Sequence, residues 1–157
     1  LEWKHSVFDV RADYCDRATY PDATELHHNS AADFLADEDA ASLARFSDIL
    51  LLGHDWVVDE ALLLGLLKAR QSEQDSWNTR IGVIGSRSKW QAFCKAAGEQ
   101  GIDAALLDEV DCPIGLNIGA ESPAEIAVAV TAQLISRIKE QDHESPNWRE
   151  RQIQSSL

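Results

Sequence analysis

Three short, apolar, β-favouring runs, Ser6-Val7-Phe8-Asp9-Val10, Asp48-Ile49-Leu50-Leu51-Leu52-Gly53 and Arg80-Ile81-Gly82-Val83-Ile84-Gly85, are separated by stretches whose leucines and alanines follow helical spacing. Apolar runs of this length read as strands buried on both faces. The helix-length segments between them supply the crossovers that parallel strands need. The alternation therefore predicts an α/β fold, a Rossmann-like doubly wound parallel sheet with helices on both faces.

A weaker strand is expected within Thr24–His28. Helices are expected over Ala31–Arg45, over Val57–Ala69 behind Asp55 as a cap, and over Lys89–Glu99 with Gly101 as terminator. A short helix fits within Asp103–Val110, and a long one from Pro123 to Glu140. Ser72–Thr79 reads as a polar connector. The domain is expected to span residues 1–142, with 143–157 a polar tail that frays.

With 157 residues the chain suits one domain that buries its own core. Its 14 basic and 27 acidic residues give a net charge of −13, which argues against non-specific binding to nucleic acid or an anionic membrane. The longest apolar stretch, Ile49 to Gly53, is far too short to span a bilayer, and no secretory signal is recognisable, so the cytoplasm is expected. Cys15, Cys94 and Cys112 are widely spaced and read as free thiols.

In doubly wound sheets ligands bind beyond the carboxyl ends of the strands. That rule nominates Asp9 and Arg11, His54 and Asp55, and Gly85, Ser86, Arg87 and Lys89. Gly85-Ser86-Arg87-Ser88-Lys89 joins a turn, a helix start and two cations, a natural anion site. Its plainer reading is a Ser cap with two solvated cations. Arg80, Arg87 and Lys89 form the one basic exception in an acidic chain. His54-Asp55 could supply a proton-transfer pair, or be a loop histidine beside a capping aspartate. Asp9 sits where the second strand of a dinucleotide-binding unit would end, on the ribose hydroxyls, yet no first strand or G-x-G-x-x-G turn precedes it. The domain is accordingly expected to be incomplete at its N-terminus. No metal-ligand spacing occurs, and none is predicted. Cys112 reads first as a small buried residue, His27-His28 as surface.

Cys112-Pro113-Ile114-Gly115-Leu116-Asn117-Ile118-Gly119-Ala120-Glu121-Ser122-Pro123-Ala124-Glu125-Ile126-Ala127 joins a glycine loop to a helix start. Gly115 and Gly119 permit positive φ or close backbone approach, and Ser122 with Glu125 forms a capping box behind Pro123. This run, with Phe8-Asp9-Val10-Arg11, His54-Asp55 with Asp59, and Ile84 to Lys89, resembles the C-terminal domain of the XdhC/CoxI family, xanthine dehydrogenase accessory proteins. The similarity runs from about Trp3 to Ile138, with Asn117 where the family usually has aspartate and Ser122 where threonine is common.

The resemblance implies a non-enzymatic chaperone that binds the molybdenum cofactor (molybdopterin) transiently and assists its sulfuration and insertion into a xanthine dehydrogenase-type enzyme. It implies a nucleotide-like pocket drawing on the residues above together with Gly115 and Gly119. A cysteine desulfurase is a further expected partner and a homodimer the expected assembly; the almost continuously apolar helix Ile126–Ile138 must be buried in the core or against another subunit, which also supports a dimerising role. Two alternatives stay open: an NAD(P)- or FAD-binding oxidoreductase domain, and a purely structural dimerisation domain.

Overall fold

Strands β1 (Val7–Phe8) and β2 (Leu26–His27) pair in parallel, with Val7 opposite Leu26. Strands β3 (Asp48–Leu51) and β4 (Arg80–Val83) do the same, with Ile49 opposite Ile81 and Leu51 opposite Val83. Asp111 extends the second ladder through a parallel bridge to Gly82. The computed structural model describes residues 3–73 and 77–140, so the expected tail at 143–157 lies outside the described residues.

The single continuous sheet expected from the alternation is thus two two-stranded parallel sheets. Each ladder holds strands consecutive in the chain, β1 with β2 and β3 with β4, and no described hydrogen bond links one ladder to the other.

Among the described residues the chain forms six α-helices: α1 (Ala31–Asp37), α2 (Ala40–Leu43), α3 (Trp56–Ser72), α4 (Arg87–Glu99), α5 (Ala104–Asp108) and α6 (Pro123–Ile138). The one helix expected across Ala31–Arg45 is broken at Glu38, whose backbone is extended. Asp39 starts a new helix there. Its carboxylate accepts from Ser42 N at 2.7 Å while Ser42 Oγ accepts from Asp39 N at 2.9 Å, and this reciprocal cap replaces the hydrogen bonds a continuous helix would have made. Arg45 fastens the break, its guanidinium bridging Glu25 and Glu38.

Helix α3 buries Leu62, Leu63, Leu64, Leu66 and Leu67, too broad a stripe for a surface helix, and so it forms the centre of the core. Ile81, Val83, Phe93 and Ala97 close around it, each 1% exposed or less. Burial of each large side chain contributes about 1.5–3 kcal/mol.

The chain divides into two compact units, Leu1–Pro113 and Ile114–Leu157. In the second, Ser122 and Glu125 complete the expected capping box of α6, with Pro123 in its first turn. The loop before α6 is tied to it: Gly115 N–H donates to Gln133 Oε1 at 2.6 Å and Leu116 N–H to the Ala129 carbonyl at 3.1 Å.

Candidate functional site

Because β3 and β4 are parallel, the turns that follow them emerge at one edge of the ladder. After β3 come Gly53, His54 and Asp55, all exposed. Asp55 caps α3 by accepting from Val57 N at 2.9 Å. After β4 come Gly85 and Ser86, whose Oγ caps α4 by accepting from Lys89 N at 3.3 Å and lies 2.9 Å from Ser88 Oγ. That cap occupies one first-turn donor and leaves the N–H groups of Arg87 and Ser88 without an intrahelical acceptor. Arg87 is exposed, and among the described residues it has no ion-pair partner. An exposed guanidinium beside free amides at the positive end of a helix is an anion-binding arrangement.

Lys89 behaves differently from both of its expected roles. It is neither solvated nor offered to a ligand: the residue is 3% exposed, and its Nζ lies 2.6 Å from Oδ2 of Asp59, itself 3% exposed. The same ammonium donates to the Ile84 carbonyl at 3.0 Å and reaches the Gly53 carbonyl at 3.5 Å. Arg80, the third member of the basic exception, pairs with Asp48 at the opposite end of the ladder, at 2.7 Å. Of the three cations only Arg87 stays available at the strand-end edge.

Asp9 follows β1, and Arg11 holds it with both side-chain and backbone hydrogen bonds. The Arg11 guanidinium beside it keeps the Asp9 carboxyl below the usual carboxylate range, and His54 adds a smaller pull in the same direction. Arg11 also stacks on Tyr14, 3.8 Å from the ring centre. The one sequence signal for Tyr14 is its spacing three residues after Arg11 in a short loop. Leu52, Trp56 and Val57 add exposed apolar surface along the β3 turn.

Gly115 and Gly119 belong to the second unit, with φ of 114° and 73°. The Gly115 amide is taken by Gln133, and a Cβ there would stand 3.3 Å from Ala129 Cβ, so its local role is close packing of loop on helix. Gly119 is exposed, with open space where a Cβ would go. Cys112 is partly buried against the core, and burial pushes its thiol up, against a smaller opposing pull from Lys89; a reactive thiolate is disfavoured. His27, expected at the surface, is instead half-buried, 3.0 Å from Glu25 and edge-on to Phe34. Among the described residues no three His, Cys, Asp or Glu side chains converge to hold a metal ion.

The strand-end residues lie within a longer match. Residues 1–134 match the XdhC Rossmann domain. The chain belongs to this family. The XdhC Rossmann domain described here is 28% identical over 130 residues to the uncharacterized protein YqeB of Escherichia coli K12, a match covering 83% of this chain and 22% of that protein. It also superposes on a Bacillus halodurans structure described as a xanthine dehydrogenase, with a TM-score of 0.65 and 26% identity, over 91% of this chain and 38% of that one. The chain thus spans well under half the length of either relative. Among the described residues no helix is long and apolar enough to cross a membrane.

Proposed function

We propose that this XdhC domain binds the molybdenum cofactor and assists its sulfuration and its insertion into a xanthine dehydrogenase or related molybdenum hydroxylase, turning over no substrate itself. Family membership supports the molybdenum-enzyme context. The observation that carries the binding reading is the start of α4, where Arg87 is exposed beside the first-turn amides. Molybdopterin bears a phosphate, and a guanidinium with convergent N–H donors fits that group in charge and geometry. The cofactor is cargo here. What this chain's residues do is hold its phosphate at Ser86 and Arg87, with His54 and Asp55 flanking on the same edge.

The same reading takes the two ladders as flanks of one doubly wound sheet, completed by a strand lying between β1 and β3. A molybdenum hydroxylase and a cysteine desulfurase are the proposed partners, a homodimer the assembly, and the cytoplasm, where free Cys15, Cys94 and Cys112 would stay reduced, the compartment.

The test mixes the protein with isolated molybdenum cofactor, separates it by gel filtration and reads the cofactor's visible absorption, with NADH oxidation assayed in parallel. Cofactor should travel with the protein and NADH should stay unoxidised. Free cofactor eluting alone, or steady NADH turnover without a partner enzyme, contradicts the proposal.

A further inference from the structure

We infer that the buried Lys89–Asp59 pair is a positioning device for the strand-end site, shaping the turns after β3 and β4 without touching ligand; this rests on the phosphate reading of the α4 start given above.

A buried ion pair is a poor source of stability, since matched apolar residues do as well or better. This one does something apolar residues cannot. An ammonium has three protons, and Lys89 directs them at Asp59 Oδ2 at 2.6 Å, the Ile84 carbonyl at 3.0 Å and the Gly53 carbonyl at 3.5 Å. Those carbonyls belong to the turns that leave the two strands. A trans peptide is planar with its N–H opposite its C=O, so drawing the Ile84 and Gly53 carbonyls inward turns the N–H groups of Gly85 and His54 outward. The outward side of the Gly85 turn is where Ser86 and Arg87 open α4.

Both turns are shaped around the pair. A Cβ on Gly53 would overlap the Asp59 carboxylate, its Cγ lying at 3.0 Å, and a Cβ on Gly85 would stand 3.0 Å from Lys89 Cδ. Asp59 sits on the first turn of α3 and Lys89 on the first turn of α4, so one contact fixes two helix starts relative to two strand ends.

The experiment compares wild type with the double variant Lys89→Met/Asp59→Leu, which removes both charges and keeps similar volume. Inorganic phosphate is titrated into each and the amide signals of Gly85, Arg87 and Ser88 are followed by proton–nitrogen NMR, with melting temperature recorded alongside. The double variant should melt within about 5 °C of wild type while its phosphate affinity falls about tenfold or more, as expected when donors lose their alignment. Equal affinity in the two proteins, with both folded, overturns the positioning role alone. Wild-type amides that ignore phosphate sink the phosphate reading and this inference with it. A second measurement needs no variant: in wild type the Lys89 Nζ signal should stay fixed as phosphate is added while Arg87 Nε shifts. A Lys89 shift as large as that of Arg87 makes Lys89 a ligand and overturns the proposal.

Discussion

Arg11 closes on Asp9 through two side-chain hydrogen bonds, Nε to Oδ1 at 2.9 Å and Nη2 to Oδ2 at 2.8 Å, while its backbone N–H donates to Oδ1 at 2.8 Å. In a dinucleotide-binding fold the carboxylate at this strand end accepts the ribose hydroxyls. Here much of its accepting capacity is already engaged, which weighs against an NAD-type site at β1.

Replacing Arg11 by alanine should free that carboxylate. The Asp9 titration, followed by carbon-13 NMR of its carboxyl, should move up toward the ordinary aspartate range, because the Arg11 hydrogen bond is the largest cause of its depression. Melting temperature should change little, since the pair is only partly buried and Arg11 keeps much of its side chain in water. An unmoved titration would show that Arg11 does not hold Asp9 in solution.

Acid should destabilise the first unit, and the sign follows from the pairing. Glu25 and Glu38 are held below the usual carboxylate range, in each case chiefly by hydrogen bonds from Arg45. Groups with depressed folded pKa contribute stability that is complete above their unfolded pKa and lost as pH falls through the folded one. Urea unfolding should therefore be flat from about pH 7 to pH 5 and weaken from about pH 4 downward. Arg45→Ala should flatten that acid slope. A variant with the wild-type slope would remove the Arg45 bridge as its source.

Gly115→Ala and Gly119→Ala should separate strain from packing. Both positions have positive φ, so either substitution should cost about 1 kcal/mol or more in chemical denaturation. Gly115→Ala should cost more, because its Cβ also presses on Ala129 at 3.3 Å, whereas Gly119 has open space. Equal losses would mean that the loop relaxes away from α6.

Local signals were the legible part of this chain. The caps at Asp55, Ser86 and Ser122 read directly from residue type and spacing, and each forms its expected hydrogen bond. The break at Glu38 was missed because an alanine-rich acidic run has helical propensity throughout; the signal that wins is the local cap between Asp39 and Ser42. Lys89 departs from its sequence signal for a different reason. Its spacing from Ser86 and Arg87 suggests a solvated cation, and what buries it is Asp59, thirty residues away in sequence and brought close by two parallel strands. The pairing of β3 with β4 and of β1 with β2, with no ladder between the two pairs, is tertiary information that no local signal carries.

If the exposed start of α4 holds the cofactor's phosphate through Arg87, titration calorimetry with isolated molybdenum cofactor will register it. Wild type should bind, inorganic phosphate should compete, and Arg87→Ala should weaken binding about tenfold or more, the scale of one lost charge-assisted hydrogen bond. Wild type and Arg87→Ala binding with equal affinity, unaffected by phosphate, would remove the α4 start as the phosphate site.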